Sequence, residues 1–210
     1  MAFQHLNNTS YTFGSHSVQV LVPERREVAA WYEAAKTNAG SPPDPYWTQV
    51  WAAAIGLCEF LSKNLHVVQQ KKILELAAGL GLPSLWASHH AHSVIGSDYL
   101  PEAVTIMEQS RVVNHIENLT CCLLDWNTLP ENLETDVLLL SDINYESAQF
   151  EQLLLVINRF VKANTTVILS TPQRLVAKPF IERLLPIANR HEQVDVWNGE
   201  KQVPISVLVL

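Results

Sequence analysis

The spacing of apolar residues changes near position 72. Before it, residues 17–22 alternate between apolar and polar as in a short strand, whereas residues 24–36 and 46–64 carry apolar positions three and four apart, as one face of a helix does. After it, short apolar runs alternate with amphipathic segments. The predicted strands are residues 72–77, 93–97, 119–124, 136–141 and 166–170, and the predicted helices are residues 83–90, 101–114, 147–162 and a segment from about 175.

This alternation of strands and helices predicts an α/β fold. Parallel strands need crossover connections, so the helices are expected to cover both faces of a doubly wound, mostly parallel sheet. The chain closes differently, because residues 193–197 and 202–210 flank Asn198-Gly199, a pair typical of a tight hairpin turn. With this antiparallel C-terminal hairpin, the sheet is expected to have seven strands.

Prolines mark boundaries in this pattern. Residues 38–45 combine Asn, Gly, Ser and three prolines, which predicts a linker between an N-terminal strand and helix extension, residues 1–45, and a main domain, residues 46–210. Pro186 predicts a kink or an early end of the last helix. Pro204 predicts a bulge or a late start of the last strand.

Composition narrows the class of protein. Hydrophobic residues make up 48% of the 210 residues and charged residues 17%, which is typical of a compact domain. The net charge of −7 argues against a nucleic-acid partner, whose phosphates are bound by clustered Lys and Arg. The sequence shows neither a membrane-spanning apolar run nor a signal peptide, and its three cysteines form no C-x-x-C pair. A cytoplasmic protein with reduced thiols and no membrane partner is expected.

The first strand of the alternating region ends in a turn that suits a ligand. Residues 75–81 are E-L-A-A-G-L-G, and Gly79 and Gly81 are two of only seven glycines in the chain. Small residues allow a sharp turn into the next helix and let a ligand approach the backbone. A tight turn without a ligand would use the same residues, so the other strand ends decide between the two interpretations.

Polar residues also follow the next three strands. Asp98 ends the second, where a carboxylate can accept the hydroxyl groups of a ribose or cap the following helix. Asp125 and Trp126 follow the third and suit the edge and the face of adenine, and residues 141–145, S-D-I-N-Y, follow the fourth. Because ligands of open α/β sheets bind at the carboxyl ends of the strands, these positions together predict a nucleoside-containing ligand.

The glycine spacing favours one kind of cofactor. A dinucleotide-binding turn has the pattern G-x-G-x-x-G, but Ser84 stands in the place of the third glycine, after Pro83. Glu75 and the Asp125-Trp126 pair also have no role in the dinucleotide scheme. An adenosyl-sulfonium cofactor is therefore favoured over NAD.

With these features, residues 46–210 resemble the class I, seven-β-strand S-adenosylmethionine-dependent methyltransferases. More narrowly, the chain resembles the lysine methyltransferase group, also described as nicotinamide N-methyltransferase-like or methyltransferase family 16. The resemblance is carried by P-Y-W-T-Q-V-W at residues 45–51, E-L-A-A-G-L-G-L-P-S at residues 75–84 and the D-x-x-Y pattern at residues 142–145. It implies a Rossmann-like methyltransferase fold, S-adenosylmethionine as the cofactor, no metal, and methyl transfer as the activity.

The resemblance also implies a role for each matching residue. Gly81 belongs to the glycine turn. Ala77 stands where the family usually has the first glycine of E-L-G-x-G-x-G. The backbone of this turn is therefore expected to have less conformational freedom but still to bind the cofactor. The implied contacts are Glu75 and Gly79 to the amino-acid moiety, Trp47 near the methionine portion, Ser141 under the sulfonium, Asp98 to the ribose hydroxyls, Tyr99 beside the adenine, and Asp125 with Trp126 at the adenine edge and face.

Asp142 and Tyr145 would border the acceptor channel, and the resemblance favours N-methylation of a protein lysine. By hypothesis, Asp142 orients the amine while solvent or Tyr145 helps to remove its proton, because the protein mainly has to align an in-line displacement. Two alternatives stay open: a small-molecule N- or O-methyltransferase, and a non-catalytic adenosyl-binding or interaction module. The oligomeric state stays open as well.

Two further motifs are interpreted as unrelated to the activity. Residues 44–47, D-P-Y-W, are similar to the D/N-P-P-Y/F motif of amino-methylating nucleic-acid enzymes, but they lack its second proline and precede a helix. His89, His90 and His92 lack an accompanying acid at ligand spacing, so a solvated helix end is expected there.

Overall fold

The structure is a computed structural model that describes residues 3–39, 44–199 and 201–210. A two-stranded N-terminal hairpin precedes a seven-stranded sheet. The strands are β1 Leu6–Phe13, β2 His16–Pro23, β3 Lys72–Leu76, β4 Ser93–Asp98, β5 Leu119–Leu123, β6 Val137–Ser141, β7 Thr166–Pro172, β8 Arg190–Asn198 and β9 Lys201–Val209. The helices are α1 Arg25–Ala39, α2 Ala52–Lys63, α3 Leu82–Ala87, α4 Pro101–Val113, α5 Phe150–Lys162 and α6 Lys178–Leu184.

The large sheet has the strand order β5-β4-β3-β6-β7-β9-β8. Strands β3 to β7 run parallel to one another, and β9 pairs antiparallel with both β7 and β8. The predicted doubly wound, mostly parallel seven-stranded sheet with a C-terminal antiparallel hairpin is therefore confirmed. The strand order reverses between β3 and β6, which are paired as far as Leu76 and Leu140.

The central strands are apolar because both of their faces are covered. In β3, Ile73 packs into a core formed with α2, α3 and α4, whereas Leu74 and Leu76 pack into a second core formed with α5 and α6. Full burial of such a side chain stabilises the fold by about 1.5–3 kcal/mol. This two-sided burial explains why the strands appear in the sequence as continuous apolar runs.

The N-terminal hairpin extends the first of these cores. Val18 and Val20 of β2 are fully buried in it, and the Asn114 side chain at the end of α4 accepts from the Gln19 N–H at 2.8 Å and donates to the Gln19 carbonyl. The strand predicted over residues 17–22 is thus confirmed, but its partner β1 was not predicted. β1 contains the polar run N-N-T-S, residues 7–10, so it lacks the apolar alternation of a half-buried strand.

The helix predicted from residue 46 is wrong at its start. Residues Pro45–Thr48 form a 3₁₀ turn, the backbone is extended at Gln49 and Trp51, and α2 begins only at Ala52. The apolar spacing of Trp47 and Val50 therefore comes from a 3₁₀ turn and an extended segment that pack into the first core. The sequence pattern could not distinguish the two, because a turn and a helix can bury the same positions.

The two prolines of the C-terminal region behave differently. Helix α6 ends at Leu184 and a 3₁₀ turn follows through Pro186, as the prediction of an early end required. The prediction for Pro204 is wrong, because β9 begins at Lys201 and pairs continuously with β8. Pairing of β9 with β7 begins only at Ile205, so Pro204 lies where one side of the strand has no neighbour that needs its N–H.

Two further expectations concern the domain boundary near residue 45 and the presence of membrane-spanning segments. The predicted linker includes residues 40–43, which lie outside the described residues, and the division at residue 45 stays a prediction. Within residues 3–39, 44–199 and 201–210, no helix has the length and hydropathy needed to cross a lipid bilayer.

Two glycines with left-handed backbone angles, Gly81 in the turn after β3 and Gly199 between β8 and β9, give a test of how tightly the turn after β3 is packed. Gly81 has φ +74° and an added Cβ would lie 2.4 Å from Met107 Sδ, whereas Gly199 has φ +63° and nothing within 4 Å. We expect Gly199→Ala to lower the free energy of unfolding by about 1–2 kcal/mol through backbone strain, and Gly81→Ala by roughly 2–5 kcal/mol because overpacking adds to it. Urea denaturation measures both, and equal losses would contradict the packing argument.

Candidate active site

A cleft opens where the carboxyl ends of the central parallel strands meet. It has about 1040 Å³ of empty space out to its mouth, and a pocket of about 450 Å³ adjoins it. The 3₁₀ turn Pro45–Thr48 forms part of its wall. Of the residues singled out in the sequence, the cleft is lined by Trp47, Ala77, Gly79, Gly81, Asp98, Tyr99, Trp126, Ser141, Asp142 and Tyr145; Asp125 lines the adjoining pocket, and Glu75 is buried and lines neither.

Three residues of the turn after β3 have backbone angles in the left-handed region. Ala77, Gly79 and Gly81 have φ of +52°, +55° and +74°. A residue with a Cβ pays about 1–2 kcal/mol for this conformation, so Ala77 is accommodated at a cost where the family usually has glycine. An added Cβ at Gly79 would lie 3.4 Å from the Trp47 carbonyl oxygen, so the turn packs directly against the 3₁₀ turn.

The Glu75 carboxyl group lies fully buried beside this turn. Its Oε2 accepts hydrogen bonds from the Ser84 N–H at 2.8 Å and from the Ser84 hydroxyl, whereas its Oε1 has no partner among the described residues. Burial raises the pKa of Glu75 to about 8, although the two bonds from Ser84 oppose the rise. Glu75 is therefore mainly protonated at neutral pH until a cationic or donating group reaches it.

The Asp98 carboxylate connects the ends of two strands. Its Oδ2 accepts from the Gly79 N–H at 2.9 Å, and its Oδ1 accepts from the Leu100 N–H at 3.0 Å, just before α4. Burial raises the pKa of Asp98 and these backbone bonds oppose it. A carboxylate has about four acceptor positions, so Asp98 supports the start of α4 and keeps capacity for ligand hydroxyls.

Aromatic contacts hold Trp47 in the cleft wall. The rings of Phe3 and Trp31 lie 5.8 and 6.0 Å from the Trp47 ring, centroid to centroid, so the N-terminal segment supports this side of the cleft. The Trp47 Nε1–H is buried and has no partner among the described residues. On the opposite side, Trp126 lines both pockets, and Asp125 Oδ1 accepts from the backbone and side chain of Asn127, each at 2.8 Å.

Asp142 and Tyr145, which were expected to border an acceptor channel, lie in the cleft lining, but Asp142 has a partner that was not expected. Asp142 has φ +55° and forms a bidentate ion pair with Arg174, in which Nη2 lies 2.9 Å from Oδ2. The ring of Tyr145 packs at 5.4 Å from that of Tyr46, and burial raises the pKa of Tyr145 to about 12. Asp142 is thus already paired, and Tyr145 holds its proton at neutral pH.

Sequence reasoning missed Arg174 and Tyr46. Arg174 lies two residues after β7, the one parallel strand for whose end no site residue was predicted. Tyr46 belongs to the 3₁₀ turn that was predicted as helix. The signal that pointed to Asp98, a polar residue at the carboxyl end of a parallel strand, applies to Arg174 as well.

The histidine segment differs from its expected role. His90 packs against the Trp86 ring at 4.8 Å, and His16 of β2 lies 4.6 Å from His90 and 5.0 Å from His89. These histidines contribute to the contact between the N-terminal hairpin and the end of α3, so the interpretation as a freely solvated helix end is wrong for His90.

The cleft is acidic. Its lining includes Asp44, Asp98, Asp142 and Glu146, and no Lys, Arg or His is present among the described residues that line it. S-adenosylmethionine fits this site, since its ammonium and sulfonium groups are cationic and the buried Glu75 Oε1 lacks a partner. The Trp47 indole N–H, equally unpartnered, matches a carboxylate or other acceptor of the same molecule.

Fold and cleft together define the protein as a class I S-adenosylmethionine-dependent methyltransferase. Among solved structures, its fold is similar to that of the Thermus thermophilus 16S rRNA N2 G1207 methyltransferase in complex with AdoMet and guanosine. The TM-score is 0.61 and the identity 14%, over 97% of this chain and 50% of that one. The chain belongs to the lysine methyltransferase family, whose sequence model matches residues 46–185.

Curated relatives give a finer comparison. The human histone-arginine methyltransferase METTL23 is 32% identical over 143 residues, which cover 65% of this chain and 75% of that protein. The mouse EEF1A lysine methyltransferase 3 is 29% identical over 162 residues, which cover 70% of this chain and 68% of that protein. The chain spans only 50% of the Xenopus laevis METTL23.

The raised pKa of Glu75 predicts how stability depends on pH. The folded state binds this proton up to about pH 8 and the unfolded state only to about 4.5. The free energy of unfolding of the cofactor-free protein should therefore fall between these pH values. Glu75→Gln should remove a decrease of roughly 3–4 kcal/mol, as measured by urea denaturation from pH 5 to 8. Parallel pH dependences in both proteins would contradict the assignment.

The position of Asp98 predicts its effect on cofactor affinity. Asp98→Ala removes the carboxylate facing the cleft and should weaken S-adenosylmethionine binding by roughly 10–100-fold, the size of one or two charged hydrogen bonds. Isothermal titration measures this change. Asp195→Ala serves as the control, because Asp195 lies on β8 outside the cleft and bonds only the Gln193 side chain among the contacts described. Normal binding by Asp98→Ala would show that the pocket is misplaced.

Proposed function

We propose that the protein transfers a methyl group from S-adenosylmethionine to the side-chain amine of a lysine in another protein. The acidic cleft is the observation that supports this most strongly, because a lining with four carboxylates, of which Asp142 is paired with Arg174, favours a cationic acceptor residue over a phosphate backbone. Relatives named as protein methyltransferases support a protein acceptor.

In this proposal, the cofactor supplies the electrophilic methyl group, and the residues of the chain bind and align. Glu75, Gly79 and Trp47 hold the amino-acid moiety, Asp98 the ribose, and Ser141 lies under the sulfonium. Asp125, Trp126 and Tyr99 surround the adenine, and Ala77 and Gly81 shape the turn. This arrangement is supported by the position of these residues, apart from the buried Glu75, in the lining of the cleft or of the adjoining pocket, and by the unpartnered atoms of Glu75 and Trp47.

The acceptor lysine has to lose a proton before it attacks. Asp142 is engaged by Arg174, and the raised pKa of Tyr145 makes its phenolate scarce at neutral pH. We therefore assign removal of this proton to solvent, and alignment to Asp142 and Tyr145 at the channel. The new N–C bond then forms as the S–C bond breaks, and the cofactor leaves as S-adenosylhomocysteine.

Arginine is a second candidate acceptor, because the human relative is named a histone-arginine methyltransferase. A small-molecule acceptor is the remaining alternative. A cytoplasmic location belongs to the same proposal and is supported by the three free thiols of Cys58, Cys121 and Cys122.

A labelled-methyl experiment tests the acceptor class. The protein is incubated with methyl-labelled S-adenosylmethionine and a cell lysate, and label is expected in protein bands, on lysine by mass spectrometry. Asp98→Ala provides the control with impaired cofactor binding. Label on arginine would favour the second candidate, label only in the small-molecule fraction would contradict a protein acceptor, and absence of cofactor binding by titration would contradict an enzyme.

A further inference from the structure

We propose that Arg174 is a positioning residue for methyl transfer: it compensates the charge of Asp142, so that the acceptor amine is bound in its neutral, nucleophilic form. This inference rests on the proposed lysine methyltransferase activity. It concerns a residue that does not line the cleft but acts on one that does.

The contact between the two residues is a specific one. Arg174 donates through Nη1 to Oδ1 and through Nη2 to Oδ2 of Asp142, so both nitrogens of the guanidinium fork are used. The Asp142 side chain is 7% exposed and the Arg174 side chain 33% exposed, so solvent screens the pair only in part. A bidentate, half-shielded pair of this kind holds a carboxylate in one orientation.

The pair also joins two loops at the cleft, because Asp142 follows β6 and Arg174 follows β7. A second contact ties the loop after β6 to the end of β7, where the Thr171 hydroxyl donates to Asn144 Oδ1 at 2.7 Å. The backbone of Asp142 is held as well, since its N–H donates to the Ser170 carbonyl at 2.9 Å. Asp142 therefore keeps its place through contacts that do not involve the Arg174 charge.

Arg174 is the cation that compensates the negative charge of Asp142. Among the described residues that line the cleft, no cation is present that could replace it. Without Arg174, Asp142 would stabilise the ammonium form of the acceptor lysine, which has no lone pair for attack. The other ionisable groups that line the cleft are acids and phenols: Tyr145 and Glu146 of the same loop, Asp98 and Tyr99 at the end of β4, and Asp44 and Tyr46 at the 3₁₀ turn.

The test measures kcat and KM against pH, with a synthetic basic peptide that contains a single lysine. In Arg174→Gln, an uncompensated carboxylate should move the midpoint of the kcat profile upward by about 1 pH unit. The value of kcat at pH 7 should then fall about tenfold. KM for the peptide should not rise, because the ammonium form is bound at least as well, and the affinity for S-adenosylmethionine should be unchanged.

Three further variants separate charge from structure. Arg174→Lys keeps the positive charge and should keep the midpoint near that of the wild type. Adding Asp142→Asn to Arg174→Gln removes the uncompensated carboxylate and should return the midpoint. Arg183→Gln breaks a comparable arginine–carboxylate pair with Glu151, between α6 and α5 and outside the cleft, and should leave the profile unchanged.

One result would overturn the role of Arg174, and a different result would overturn the proposed function. An unshifted midpoint in Arg174→Gln, with a raised KM and a lower melting temperature, would mean that Arg174 only ties the loops together. No transfer to the lysine peptide by the wild type, with transfer to arginine or to small molecules, would instead overturn the proposed function.

Discussion

The left-handed turn after β3 is the constraint on which the rest of the site depends. Two buried carboxyl groups hold it: Glu75 binds Ser84 at the start of α3, and Asp98 binds the Gly79 N–H from the neighbouring strand. Burial of both groups disfavours their charged forms. The protein nevertheless keeps both acids there, and their bonds to the Ser84 and Gly79 N–H groups hold the backbone of the turn.

The two halves of the cleft are supported by different parts of the chain. The N-terminal segment supports the half that contains Trp47, on which Phe3 and Trp31 pack. The loops after β6 and β7 form the half that contains Asp142, which is paired with Arg174. The two sides are also in contact, because the ring of Tyr46, next to Trp47, packs at 5.4 Å from the ring of Tyr145.

Much of the fold and of the candidate site could be predicted from local patterns. Short apolar runs that alternate with amphipathic segments located the parallel strands. The rule that ligands bind at the carboxyl ends of such strands then led to Asp98 and to the turn at Gly79. The misses have a common cause. The polar strand β1 is stabilised by pairing with β2, and the segment before α2 is stabilised by the packing of Trp47 and Val50 into the first core, so neither has a local signal.

The sequence by itself determined which residues end the parallel strands, since the spacing of apolar and polar residues is a property of neighbouring positions. It thereby determined the fold and the class of cofactor. Only the tertiary structure decided the charge state of the site. Glu75 is protonated because it is buried, and Asp142 is compensated because Arg174, 32 residues later in the chain, folds back onto it. Burial and long-range pairing depend on all the surrounding elements at once, and no local pattern records them.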